Sequence, residues 1–298
     1  MWWLDAFRAN FPAQFPLAPL CIFRILFACA CLQKFFVETK RGYYSYYEPH
    51  TFLYVQRQFA PGILRVSPAL YKSLYVVKFF AALSLLLGIV PQLAAGILLT
   101  WFLVESAVYF KFHVSYFALL SGALVLSPGL GAQFSLNPGP SAAARTGDGF
   151  GPFLIIATTV FLYLVTALRK ARSVEFTSGG TLAASFRSLQ NERLHKHHAD
   201  GWYPSPVARY FDCMDDERAR RRWRPFALAT IAIELALPLL LLATPVSLFG
   251  AILGILFHCC VTLLLPLTLA HFSLATISTY VLFLDPHFVA KAFLHALS

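Results

Sequence analysis

Charge is what this sequence has least of. Asp, Glu, Lys and Arg together make up 13% of its 298 residues, about half of the quarter usual in a soluble chain. So little charge excludes a water-soluble single domain, a disordered protein and a nucleic-acid-binding module. Acidic residues are the scarcer sign, 14 against 24 basic ones, which leaves a formal net charge of +10. In a chain this apolar, the excess belongs beside anionic lipid headgroups rather than on nucleic acid. No C-x-x-C pair occurs among Cys21, Cys29, Cys31, Cys213, Cys259 and Cys260. That removes support for a zinc or thiol-redox motif, and no metal is expected. Most of these cysteines fall in apolar runs, where a small hydrophobe is the simplest role. An internal repeat of the kind that builds inverted transporter halves is also missing.

What the sequence does hold is hydrophobic: 58% of residues, 29 of them Phe, with a mean hydropathy of +0.64. A bilayer-spanning helix needs about 20 mostly apolar residues. Runs of that kind lie at 17–37, 73–90, 91–111, 113–128, 150–170, 225–243, 246–265 and 267–284. Pro91, Thr244-Pro245 and Pro266 separate abutting runs and mark tight turns between antiparallel helices, since a residue before proline leaves the helical region. The runs are too long and too uniformly apolar for barrel strands. The expected fold is therefore all-α, a polytopic membrane bundle of about eight helices in one domain over 1–298. Arg24 inside the first run, with no basic start before it, argues against a cleaved signal peptide there.

Three polar excursions are expected. Residues 38–72 carry Tyr43, Tyr44, Tyr46 and Tyr47 and read as an interfacial aromatic segment. Residues 129–149 are rich in Gly, Pro, Ser and Ala and read as a loop. Residues 171–224 end in Asp215-Asp216-Glu217 followed by Arg218, Arg220, Arg221, Arg222 and Arg224. That order, acid before base, suits a solvated helix leading into the next span. Most Lys and Arg fall in alternate loops, which places the N-terminus on the extracytoplasmic side. His195-Lys196-His197-His198 reads as a solvated run rather than a metal site, for want of a suitably spaced partner.

Ionisable groups at membrane depth are costly, so each is a functional candidate. They are Arg24, Lys78, Glu105, His113, Lys170, Glu234, His258 and His271. Glu105, Tyr109 and His113 share one face if a single helix carries them; otherwise His113 opens the next span. Lys170 is either an anchor at a helix end or a base. Burial disfavours an ammonium, and the neutral amine accepts protons. Glu234, one turn before Pro238, suits a structural role, capping backbone at the kink or pairing with Arg24. His258 and His271 read as hydrogen-bonded core histidines.

Four segments together resemble the horizontally transferred transmembrane (HTTM) family, related to the membrane part of vitamin K-dependent γ-glutamyl carboxylase. They are Leu17-Ala18-Pro19-Leu20-Cys21-Ile22-Phe23-Arg24-Ile25, Phe112-His113-Val114-Ser115-Tyr116, Tyr163-Leu164-Val165-Thr166-Ala167-Leu168-Arg169-Lys170, and Ile233-Glu234 with Leu237-Pro238 and Gly254-Ile255-Leu256-Phe257-His258. The resemblance implies Lys170 as a catalytic base toward a reduced quinone and His113 as its partner. It implies structural polar roles for Arg24, Glu105, Glu234 and His258. The acidic and tryptophan residues that follow the family lysine are matched only loosely, by Arg172-Ser173-Val174-Glu175-Phe176, and no large domain follows the last run. Glutamate carboxylation itself is therefore not expected. The layout is closer to bacterial members that mature secreted peptide toxins. Expected partners are membrane lipid, a peptide substrate and a soluble partner protein. The expected setting is a bacterial plasma membrane. The competing expectation is a non-catalytic membrane subunit for maturation or export of such a peptide.

Overall fold

A computed structural model describes residues 14–40, 68–108, 112–136, 146–187, 210–211, 216–264 and 266–297. The described chain is almost wholly helical. The helices are α1 (Leu17–Lys40), α2 (Pro68–Leu87), α3 (Pro91–Val108), α4 (Phe112–Val125), α5 (Phe150–Arg172), α6 (Val174–Thr177), α7 (Asp216–Leu242), α8 (Ser247–Leu264), α9 (Pro266–Thr279) and α10 (Pro286–Leu297). Strands β1 (Gln14–Pro16) and β2 (Thr146–Asp148) pair antiparallel, with Phe15 opposite Gly147. Helices dominate because a long apolar segment has no other way to satisfy every backbone group within itself.

Among the described residues, four helices are long and apolar enough to cross a membrane: Leu17–Thr39, Phe150–Arg172, Asp216–Leu242 and Thr244–Leu263. Two shorter apolar helices, His113–Val125 and Leu269–Leu282, accompany them. Large apolar side chains face outward along these segments, among them Phe161, Leu239, Phe249 and Leu256. In water such a surface would aggregate; against lipid it is the solvated face. The chain is a membrane protein with several spans.

The predicted prolines do sit at turns. Pro91 and Pro266 open α3 and α9, the first helical position, where a missing N–H costs nothing. Thr244–Val246 forms a single 3-10 turn between α7 and α8. Two of the expected excursions begin or end inside helices. Glu38, Thr39 and Lys40 extend α1, and Pro68 already starts α2; the tyrosine cluster 43–47 lies outside the described residues. The basic run is helical as expected. Arg221 pairs with Glu217 one turn back, and Arg220 reaches Glu175 at 3.2 Å. The His195–His198 tract, Cys213 and Asp215 fall outside the described residues.

The chain divides into two compact units, residues 1–158 with 284–298, and residues 159–283. In the first unit α1 packs on α2 and α10, α2 on α3, and α3 on α4. Its core is aromatic: Phe27 sits 5.7 Å from Phe23 and 5.5 Å from Phe117, which lies 5.2 Å from Phe102. In the second unit α7 packs on α6 and α8, and α8 on α9. Phe211 stacks on Trp223 with ring centres 4.0 Å apart, beside Phe186.

Candidate functional site

In the second unit, Tyr163, Thr166 and Lys170 follow one another along one face of α5 at helical spacing. Lys170 donates from Nζ to Glu234 Oε1 on α7. Its Nζ also lies 5.4 Å from the Phe176 ring centre, over the short helix α6. The Glu234 side chain is 7% exposed and that of Lys170 28%, so the carboxylate is enclosed and the amine stays reachable. Thr166 spends its hydroxyl proton on the Leu162 and Tyr163 carbonyls. Glu234 Oε2 is buried and has no donor within hydrogen-bond distance among the described residues.

This corrects two expectations. The ion-pair partner of Glu234 is Lys170, not the residue expected from the sequence. Nor does Glu234 cap the Pro238 kink, because a proline without N–H frees an acceptor, the carbonyl four residues back, which a carboxylate cannot satisfy. The lysine is also more than a helix-end anchor, since it holds a specific buried partner.

Two turns before Lys170, about 10 Å along the helix axis, Tyr163 enters a second network. Its hydroxyl is hydrogen-bonded to His258 Nε2 at 2.8 Å and to the Tyr280 hydroxyl. His258 Nδ1 meets Ser273 Oγ at 3.2 Å. His258 and Tyr280 are almost fully buried. Helix α5 thus carries two polar stations on one face. The expectation of a hydrogen-bonded core histidine holds for His258, and His271 is buried as well.

No family model, curated protein or solved structure matches this chain. The roles of its residues are therefore argued from their own geometry.

In the first unit, α3 ends at Val108 and His113 lies in the first turn of α4, half-buried. Tyr109 is outside the described residues. Glu105 and His113 therefore do not share one helical face, and His113 opens its own helix. Glu105 turns to a different partnership. Lys34 Nζ donates to Glu38 Oε1 one turn along α1 and to Glu105 Oε1 at 2.6 Å. Lys78 Nζ on α2 donates to Glu38 Oε2 at 2.6 Å and stands 4.0 Å from Glu105 Oε2. Two ammonium groups and two carboxylates form a closed, neutral quartet, and each lysine side chain is only 1% exposed. Aromatic rings wall it: the centres of Tyr75, Trp101 and Phe102 lie 5.2, 5.4 and 5.7 Å from Lys78 Nζ. Rings at these distances present their negative faces to a desolvated cation.

Arg24 is fully buried in the same unit and needs no carboxylate. Its Nη1 donates to Ser135 Oγ at 2.8 Å and its Nη2 to the Phe134 carbonyl at 2.5 Å. The arginine thereby ties α1 to the loop after α4. Gly88, at φ +72°, lets the α2–α3 turn pass directly against the guanidinium. The partners of Arg24 are thus a backbone carbonyl and a serine hydroxyl.

Sequence reasoning passed over Lys34, Glu38, Tyr163, Ser273 and Tyr280. The Lys34–Glu38 spacing of one helical turn was the available signal, hidden because the first apolar run was ended at residue 37. His113 belongs to the first unit and Lys170 to the second.

Proposed function

We propose that this chain is a membrane-embedded enzyme that removes a proton from a peptide or lipid-soluble substrate, with Lys170 as the base. The observation that supports it is the Lys170–Glu234 pair, with a reachable amine and a buried, unclaimed Glu234 Oε2. In a low-dielectric site an ion pair and its neutral counterpart, amine plus carboxylic acid, draw close in free energy, because desolvation penalises both charges. When the shared proton rests on Glu234, the Lys170 lone pair is free to accept one from the substrate. Accepting it restores the ammonium, which then stands beside the anion it has produced. Glu234 in this reading is what makes the lysine a base.

A reduced quinone, as in the HTTM and vitamin K-dependent carboxylase family that the sequence resembles, fits the residues present. Lys170 and Glu234 would hold it, the carboxylate accepting from a hydroxyl of the group. When bound, such a group supplies the redox chemistry that no side chain here provides. The full membrane arrangement we propose is eight spans, formed by α1 to α5 and α7 to α9, in a bacterial plasma membrane. The substrate is the precursor of a secreted peptide toxin, presented by a soluble partner protein.

Lys170→Arg tests the base. It keeps the positive charge and the pairing with Glu234 but removes any accessible neutral form. Purified wild-type and Lys170→Arg proteins in liposomes are given reduced menadione and oxygen, and its oxidation is followed by absorbance. The arginine variant should insert normally and lose at least about 100-fold in rate, the range of general-base contributions. Mass analysis of the organic extract of the wild-type protein should find a quinone. An unimpaired arginine variant would favour a second reading, to which the Lys170–Glu234 bond also lends itself: a non-catalytic subunit for toxin maturation or export, with the pair as an interhelical brace.

A further inference from the structure

We propose that the groove between α3 and α4 in the first unit is a binding site for one acyl chain of a membrane glycerophospholipid, with the chain's ester carbonyl at Ser106 and Ser115. The site is distinct from the Lys170 centre and does not depend on its function.

The groove has a volume of about 560 Å³, within the range of small-molecule sites. Its length follows from the helix register. A methyl group built on Gly122 would fall 3.7 Å from Leu99, and one on Gly96 would fall 4.0 Å from Val125. The helices therefore run antiparallel, and the same register sets Ser106 opposite Ser115. From Ser115 to Leu126 the lining extends about 16 Å at 1.5 Å per residue. That is half of the roughly 30 Å hydrocarbon thickness, the reach of a chain in one leaflet.

Polarity changes along this length. Leu99, Val125 and Leu126 line one end, and the hydroxyls of Ser106 and Ser115 the other, with Thr158 toward the serines. Ser106 Oγ is shielded and has no hydrogen-bond partner among the described residues. Such a hydroxyl costs free energy until something binds it. The described lining contains no charged side chain, so among these residues a fatty-acid carboxylate would find no counter-charge. A neutral ester carbonyl asks only for hydroxyl donors. The hydroxyl end also lies within a turn of where α3 stops and α4 starts. Leu103 and Leu119 flank the groove and are largely exposed, so a chain can enter sideways from the bilayer.

The test uses the full-length protein in liposomes of palmitoyl-oleoyl phosphatidylethanolamine. A phosphatidylethanolamine with a diazirine on one acyl chain should, on illumination, label peptides of α3 and α4 around Leu103 and Leu119. Native mass spectrometry should find one phospholipid retained per chain. Gly122→Leu, which fills the groove, should reduce retention at least ten-fold. Ser106→Ala should weaken the diester lipid about three- to ten-fold, the worth of one hydrogen bond, and leave a diether analogue unchanged. Label scattered evenly over all helices would overturn the proposal whether or not either variant folds. So would undiminished retention by a folded Gly122→Leu, a quinone recovered from the groove in place of phospholipid, or equal loss of diester and diether lipids in Ser106→Ala.

Discussion

The Lys34–Glu38–Lys78–Glu105 quartet makes a quantitative claim about stability, and it runs against intuition. Lys78→Met removes one ammonium from a neutral set of four. Glu38 loses its 2.6 Å bond, and Glu105 loses the counter-charge 4.0 Å away. At an effective dielectric of 20, two unit charges at that separation attract by about 4 kcal/mol. Breaking a buried pair by removing one partner generally costs about 3–5 kcal/mol. We expect Lys78→Met to fall in that range. Glu105→Gln should cost less, about 1–3 kcal/mol, since its side chain is 15% exposed and only Oε1 is bonded. Combined, the two changes leave Lys34 and Glu38, a neutral pair already bonded within α1. The double variant should therefore be more stable than Lys78→Met alone, with a favourable coupling of about 2–3 kcal/mol. Unfolding in detergent can be followed by tryptophan fluorescence, because the Trp101 ring lies 5.4 Å from the altered ammonium. Additive costs in the double variant would refute the idea that neutrality of the set matters. A Lys78→Met protein as stable as wild type would refute its burial.

Two backbone predictions are simpler. Gly88→Ala forces a Cβ into left-handed φ of +72° and against the Arg24 guanidinium; a loss of about 1–3 kcal/mol is expected in the same unfolding assay, and an unchanged midpoint would mean that Arg24 does not hold the turn. Gly254→Ala places a methyl 2.5 Å from the Tyr280 hydroxyl. Tyr280 must then move off Tyr163, costing about 1–3 kcal/mol, and tyrosine absorbance should show the altered environment; a spectrum identical to wild type would refute the contact.

Much of the fold was legible because hydrophobic runs and prolines are local signals. A proline such as Pro91 or Pro266 acts on its own helix start, whatever the rest of the chain does. The all-helical architecture and the basic stretch leading into α7 followed in the same way. Partner choice was not legible. Arg24 was expected to seek a carboxylate, and it found a carbonyl and a hydroxyl more than 100 positions away. Glu234 was placed with the kink beside it, while its partner stands 64 positions upstream on α5. Lys34 lies inside the first apolar run and Glu38 just past its end, so their pairing crosses the boundary drawn at residue 37. Only Lys78 and Glu105, brought from other helices, make their burial tolerable. For the same reason Lys170 and Glu234 entered the sequence reading separately and emerged as one unit.

The quartet also bears on how the chain enters the bilayer as it is made. Lysine or aspartate at the centre of an emerging helix opposes insertion by about 2.5–3.5 kcal/mol. On helix α1, Lys34 and Glu38 neutralise each other within a single turn, while Arg24 has no acidic counter-charge on that helix. Helices α2 and α3 are placed differently: Lys78 sits on one and Glu105 on the other, each unmatched on its own helix. Their charges cancel only when the hairpin around Gly88 has closed and met α1. Biogenesis would then proceed with α1 waiting in the lipid and the α2–α3 hairpin partitioning as a pair, so that a ribosome stalled after α2 would expose an intermediate whose newest helix carries Lys72 and Lys78 and no acidic residue, with a marked tendency to slip back out.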